Sequence, residues 1–466
     1  VDGTWSANNL VDNVWGHYYE GIRAANFYLK ETAGLTFDEW KYSDDYEAIM
    51  KEFTNYQYEV RFLRAYFYFE LIKRYRNIPF VLDVLAQNEA NGVNPESYEK
   101  IAKFIVDECS DLAQILPVNY DNFSTKEKGR VTRAAAMALK SRVTLYMASP
   151  LFSEDSEDKW KQAAEAAYDI IKQKTDLGLD LVPYPQIFND VNNQKAEVIL
   201  YRPTGESGDF EKANFPIGVE GGKTSTCPTQ NLMEAYDMKD GTPFVWNNQS
   251  NPYDNRDPRM KYTIVCNEMK WPVDPVEIWE GGTNGLPLQN ATTTGYYLKK
   301  YVNNTISFEA GSTVTKKQHN WVLFRYGEIL LNYAEAMINA FHDPNYKDAV
   351  YNMSAREAVN QIRGRTNISL PGFPSDITEK DFVKRLKNER RVELAFEGHR
   401  FWDVRRWKEL GQTANIYGVK ITKNNEVISY EKFLLETRAV TDNMYFYPIP
   451  NTERFKNPNL GQNPGW

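Results

Sequence analysis

The sequence predicts a mainly α protein: a superhelix of tetratricopeptide-like helical hairpins with an irregular, loop-rich lobe that contains short strands. Three observations lead there. Apolar and alanine residues recur at helical spacing through residues 1–202 and again through 322–410. Between them, residues 203–320 lose that spacing and crowd with Gly, Pro, Asn and Thr. The helical stretches also come in neighbours that match small faces to large ones, although the period is irregular against the roughly 34 residues of a regular hairpin repeat. The expected division is an N-terminal helical scaffold (1–202), a loop-rich ligand-binding lobe (203–320), and a C-terminal helical scaffold with a wrapping tail (321–466).

The elements follow in order. From Glu59 to Tyr75, Val60, Leu63, Phe67 and Leu71 repeat at helical spacing beside a second stripe of Phe62, Tyr66 and Phe69. A helix apolar around so much of its circumference is buried on several sides, and Asn77 and Pro79 end it. A second helix is expected from Pro95 to Leu116, and a third from Thr132 as N-cap to Ser149-Pro150. Ala134, Ala135, Ala136 and Ala138 leave room there for a neighbouring helix, and Ala163, Ala164, Ala166 and Ala167 do the same from Trp160 to Lys174. Within the loop-rich stretch only Lys261–Cys266 and Tyr296–Val302 read as strands. Helices resume at Val322–Ala340, Ala355–Arg365 and Glu379–Glu397, the last opened by Thr378 with Asp381 three residues on. Tyr445–Trp466, rich in Pro and Asn, reads as an ordered strap.

Composition narrows the function. With 63 acidic against 55 basic residues and a formal charge of -8, the chain lacks the basic footprint of a nucleic-acid binder. Aromatic residues make up 14% and Tyr (30) exceeds Phe (24), which points to half-wet aromatic surfaces as well as core. Cys109, Cys227 and Cys266 fit neither a disulfide framework nor a zinc signature, and whether two of them pair stays open. No apolar run reaches the length of a membrane-spanning helix. The stretch Gly218–Thr224 imitates a phosphate loop but is one residue short between its glycines. Gly205-Glu206-Ser207-Gly208 lacks the G-x-S-x-G of a nucleophile elbow, and His17, His319, His342 and His399 are too scattered for a zinc hydrolase. No catalytic residue, metal site or cofactor is expected.

The densest charged run is Glu389–Trp407 (ERRVELAFEGHRFWDVRRW). His399 beside Glu397, Arg400 and Asp403 could be read as an active site. Glu and Arg at i, i+3 and i+4 are instead expected to form an ionic lattice that positions helices, with Arg391 and Arg400 among the partners of its carboxylates.

That run resembles the C-terminal signature of the SusD/RagB-like family, and six further blocks follow the family in order. Glu59–Phe69 with Tyr75–Pro79 is similar to its first strong helix, and Thr132–Arg142 with Leu145–Pro150 to its second. Pro228–Gln230 with Ala235–Gly241, and Asn255–Arg259, resemble central blocks. Arg325–Ala336 resembles another, with Gly327 where Ala is commoner, and Tyr447–Pro450 with Asn457–Pro464 resembles the family's ending. The resemblance implies non-catalytic capture of an oligosaccharide or polysaccharide at the cell surface, and its delivery to a SusC-like TonB-dependent outer-membrane transporter. It also implies an export signal, a lipid-modified cysteine and an opening helix ahead of Val1, and so a lipid anchor on the extracellular face of the outer membrane.

Ligand aromatics vary within that family, so the candidate residues rest on loop location. Sugars offer C–H faces to flat rings and hydroxyls to Asn, Asp, Arg or Gln. The loop lobe supplies Trp246, Tyr253, Trp271 and Trp279, with Asn247, Asn248 and Asp254 nearby, and the N-terminal loops add Trp5 and Trp40. Trp15, Trp402 and Trp407 sit in helical signatures and are expected in the core. The rival readings are a carbohydrate-active hydrolase using loop-lobe carboxylates and a pure protein-interaction scaffold; turnover and glycan affinity separate them from glycan capture.

Overall fold

The structure, a computed structural model, describes residues 4–125, 127–154, 156–247, 251–309 and 315–466. Fourteen α-helices and eight short strands lie among them, so the chain is mainly α as expected. It forms two compact units: Val1–Gly178 with Val404–Leu410 and Ala439–Trp466, and Leu179–Asp403 with Gly411–Arg438. This partition differs from three consecutive segments. The loop-rich stretch is closed at its base by a strand pair and packs with the helices that follow it.

In the first unit, α1 (Trp15–Glu31), α2 (Tyr46–Tyr75), α4 (Tyr98–Ile115), α5 (Arg133–Ala148) and α6 (Glu157–Lys172) pack each on the next. A one-turn α3 (Gln87–Ala90) lies between the short paired strands β1 (Ile78–Pro79) and β2 (Pro95–Glu96). Helix α2 begins well before Glu59 because its first turns carry the preceding loop, with Phe53 edge-on to Phe37 at 4.8 Å. Ser97, Thr132 and Ser156 cap α4, α5 and α6, each accepting from a backbone N–H three residues on. The alanines of α5 are buried where α4 and α6 both approach it. Burial alone would raise the Glu70 carboxyl, but Lys73 at 2.5 Å and Arg74 at 2.6 Å outweigh it and hold the group at about 2.

In the second unit, β3 (Val198–Pro203) pairs antiparallel with β6 (Asn320–Arg325). The chain between them contributes short helices α7 (Asp209–Asn214), α8 (Gln230–Met233) and α9 (Met260–Thr263) and the paired strands β4 (Ile264–Val265) and β5 (Tyr297–Leu298). Helix α10 (Tyr326–Phe341) packs on α11 (Ala355–Arg363) and α12 (Glu379–Glu393). The expected start at Val322 is corrected to Tyr326, because Val322–Arg325 pairs with β3. The helix expected to run to Glu397 stops at Glu393, where Phe396 (φ 60°) and Gly398 (φ 79°) turn the chain into α13 (His399–Arg406). The strand-like stretch at Lys261 is helical in its first half. Strands β7 (Asn415–Asn424) and β8 (Val427–Thr437) form the longest ladder, which the sequence reading did not anticipate. Gly295 (φ 84°) lies so close to this hairpin that a Cβ would meet the Val419 carbonyl oxygen at 2.5 Å.

The tail returns to the first unit and, after a last helix α14 (Asn451–Lys456), ends against the C-terminus of α2. The Tyr447 N–H donates to the Arg74 carbonyl at 2.7 Å, and the Asn463 amide donates to the carbonyls of Tyr75 and Tyr447. All three cysteines are free.

Candidate ligand-binding surfaces

The charged run is built into the second unit as a buried ionic centre. Glu389 and Glu393 face inward from α12, and Glu397 follows one turn later. Arg259 donates to Glu389 at 2.5 Å, to Glu393 at 2.9 Å and to Asp257 at 2.7 Å. Arg325 donates to Glu197 and Glu393, both at 2.8 Å, and to Glu397 at 2.7 Å. Arg365 binds Glu197 and Glu393; Arg363 binds Glu389 at 2.7 Å and Asp237 at 3.2 Å; Lys300 binds Glu397 at 2.8 Å. Arg385 reaches Asp237 at 3.5 Å, so six carboxylates meet six cations.

Burial opposes the charge of Glu389, Glu393 and Glu397, yet the adjoining guanidiniums hold all three below the usual carboxylate range. Burial likewise pulls Lys300 down to about 8 against Glu397. A centre this balanced leaves no charge for a ligand, and its role is to lock helices and loops together.

The lattice is therefore present, and most of its guanidiniums come from outside the run. Among the described residues Arg391 makes no ion pair; Arg400 donates to the Gln412 side chain at 2.8 Å. Four of the six cations at the centre are Arg259, Arg325, Arg363 and Arg365, which lie outside the run. Of the run's own arginines, Arg390 bonds Asp403 at 2.8 Å. His399 is buried with Glu328 3.9 Å away, and Asp403 pairs with Arg390.

The four loop-lobe aromatics converge on one apolar cluster of the second unit. Trp271 is a member of that core at 6% exposure, and Trp246, Tyr253 and Trp279 are half-buried against it. Lys299 sits 5.0 Å over the Trp271 ring, and Lys423 sits 4.4 Å over Trp279. Tyr253 stands edge-on to Tyr430 at 5.3 Å.

Arg256 holds the loop that carries Trp246. Its guanidinium lies 3.6 Å over the Phe244 ring and donates to the carbonyls of Met233, Tyr236 and Pro252, each at 2.7 Å. Among the neighbours proposed for hydroxyl contacts, Asn247 and Asp254 are exposed and Asn248 lies outside the described residues.

In the first unit, Trp5 is packed away at 9% exposure, edge-on to Tyr447 and Trp466, each at 4.9 Å. Trp15 and Trp407 are buried, and Trp402 is half-buried. Trp40 is 52% exposed. Its ring stacks on Phe37 at 5.7 Å and 17°, and Phe37 rests on Phe53 of α2. The loop is pinned by the Tyr46 hydroxyl donating to the Thr36 carbonyl at 2.5 Å, and by Trp40 and Phe37 closing a turn. Tyr42, two residues on and 88% exposed, was not singled out from the sequence. Its signal was there: two aromatics inside the polar turn Asp38–Asp44.

Comparison with known proteins places these features. A model of the SusD family matches residues 187–466. A second, described as starch-binding and associating with the outer membrane, matches residues 2–145. The chain is 23% identical over 98% of its length to SusD-like protein P2 of Formosa agariphila, covering 81% of that protein. A SusD-like protein of Bacteroides fragilis NCTC 9343 superposes with a TM-score of 0.80 at 26% identity, over 100% of this chain and 88% of that one. A SusD-like carbohydrate binding protein of the same strain gives 0.79 at 25% identity, over 99% and 88%. Seen with the helical hairpins, the buried ionic centre and the ordered tail, these matches identify the chain as a member of the SusD family.

Proposed function

We propose that the protein captures an oligosaccharide or polysaccharide on the outer face of the outer membrane, without cleaving it, and delivers it to a SusC-like TonB-dependent transporter. The observation that carries this reading is Trp40. A large ring left half in water, stacked on a second ring that is itself braced on a helix, is a rigid platform of the kind that sugar C–H faces prefer. The membership above supports it, as does the carbohydrate-binding description of the Bacteroides fragilis relative. The half-exposed parts of Trp246, Tyr253 and Trp279 form a second candidate surface, on the other unit. Trp271 contributes as packing behind the second surface, and Trp5 packs against the tail.

Non-catalysis has its own support: the strongest carboxylate cluster in the fold is neutralised by arginine and lysine and buried away from any ligand. Delivery to the transporter and lipid anchoring rest on family membership. A glycan panel followed by calorimetry tests the binding. Trp40→Ala is expected to weaken the panel's ligand roughly tenfold, about 1.4 kcal/mol, with an unchanged melting curve. Wild-type affinity in Trp40→Ala would refute the assignment, and release of reducing ends from the bound glycan would refute non-catalysis.

A further inference from the structure

A groove of about 590 Å³ opens on the first unit beside the N-terminal half of α2, lined by neither Trp40 nor Phe37. Met50, Thr54, Asn55 and Tyr58 form its α2 wall. The connection from α4 to α5 forms the other wall, through Ile115, Val118, Asn119, Asn122 and Phe123.

Apart from Lys51, its polar side chains are neutral. Asn55, only 4% exposed, spends its amide N–H groups on Glu59 and the Tyr120 hydroxyl, both at 2.8 Å, and its carbonyl oxygen accepts nothing among the described residues. Asn119 accepts the Asp121 N–H at 3.1 Å, and its amide donors make no hydrogen bond among the described residues. The hydroxyls of Thr54 and Tyr58 and the carboxamide of Asn122 make no hydrogen bond within the described residues. Among the described residues no carboxylate lines the groove, and Glu52 and Glu59, on the same helix, are bound to Arg130 at 2.7 and 2.5 Å.

The single charge in the lining is Lys51. Its ammonium donates to the Asn122 carbonyl at 3.1 Å and sits 4.4 Å over the Phe123 ring, and among the described residues it has no carboxylate partner. Neutral groups able both to donate and to accept suit ring hydroxyls, the apolar wall around Ile115 suits a C–H face, and a positioned ammonium lacking a counter-ion suits one anionic substituent. The volume falls in the range of small-molecule sites.

From this we infer that the groove is a second saccharide site, selective for a sugar unit bearing a carboxylate: a uronic acid residue whose carboxylate meets Lys51 and whose hydroxyls meet Asn55, Asn119 and Asn122. This rests on the oligosaccharide-binding reading but names a separate place and a chemical class.

The test uses the full chain labelled with ¹³C at the methionine methyls, Met50 being the reporter inside the groove. The probes are tri-galacturonate, tri-mannuronate, tri-glucuronate and, as the uncharged control, maltotriose. The Met50 signal is expected to shift saturably with at least one uronate and not with maltotriose. Lys51→Met should weaken that response at least fivefold, and Trp40→Ala should leave it intact. Silence of Met50 towards all three uronates, an equal response to maltotriose, or a wild-type response in Lys51→Met overturns the inference. If Met50 is silent while Trp40→Ala still lowers affinity for the panel's glycan, the groove fails and the Trp40 surface stands. If Met50 responds as expected while Trp40→Ala binds like wild type, the reverse holds.

Discussion

Replacing Arg325 with methionine removes a guanidinium that is 1% exposed and touches three carboxylates. Glu197 keeps Arg365, and Glu393 keeps Arg259 and Arg365. Glu397 is left with Lys300 alone, having lost contacts at 2.7 and 2.9 Å. Removing one partner from a buried ion pair costs about 3–5 kcal/mol, because the remaining charge stays desolvated. For a unit of about 250 residues each kcal/mol lowers the melting temperature by roughly 2 °C, so the expected drop is about 6–10 °C. Calorimetric melting of wild type, Arg325→Met, Glu397→Gln and the double variant measures it. Glu397→Gln placed in the Arg325→Met background should recover at least about 1 kcal/mol, since it removes the orphaned charge and Lys300 can then shed its proton. The deficit of Arg325→Met should also shrink from pH 7 to pH 5, because a buried carboxyl stripped of its guanidinium takes up a proton more readily than it does in the wild-type fold. A melting temperature within 1 °C of wild type, or no recovery in the double variant, would refute the view that the centre is a mutually dependent charge cluster.

Other perturbations probe separate features. Glu70 is held at about 2 against an ordinary 4.5, so its stabilisation is complete above pH 4.5 and fades as pH falls towards 2, by about 3 kcal/mol in total; Glu389, Glu393 and Glu397 shift in the same direction. Acid titration followed by far-UV circular dichroism should therefore place the loss of structure below pH 4.5, and unfolding already complete at pH 5.5 would contradict it. Arg391→Met should move the melting temperature by less than about 2 °C, since no ion pair is lost. Gly295→Ala should destabilise by about 2–4 kcal/mol, combining a left-handed backbone with a Cβ against Val419, which denaturant titration would register as a lower midpoint.

The helices were readable because their apolar faces announce themselves locally. Thr132 to Ala148 is capped and stopped by residues within the same stretch, and the structure follows it almost to the residue. What escaped reading depends on partners elsewhere. Val322–Arg325 scans as the first turn of a helix and becomes a strand only because Val198–Pro203 lies beside it. The Asn415–Thr437 hairpin has its turn at Asn425 (φ 54°), but Gly418 and several charged residues blur the alternation along its strands. The part of the acidic half on α12 was legible as a helical repeat, whereas Arg259, Arg325, Arg363 and Arg365 come from a loop, the end of β6, the end of α11 and the turn after it, at separations that no local pattern encodes. For the aromatics, loop position was a poor guide to exposure: Trp271 lies in the most turn-rich stretch and is core, while Trp40 stands in a short polar turn and is open.

The reach of the ionic centre along the chain also bears on how the fold is gained and lost. Arg325 meets Glu197 across 128 residues, Arg259 meets Glu393 across 134, and Arg365 meets Glu197 across 168. Contacts of such span come late in folding, since the entropy of closing those loops must be met before they contribute. During synthesis Glu197 emerges long before Glu393 and Glu397 exist, so the second unit is completed only when nearly the whole chain is available. Interactions made after the transition state act on the escape rate from the native state and leave its formation rate almost untouched. The centre is thus expected to work as a latch, lengthening the lifetime of the assembled protein more than it hastens assembly.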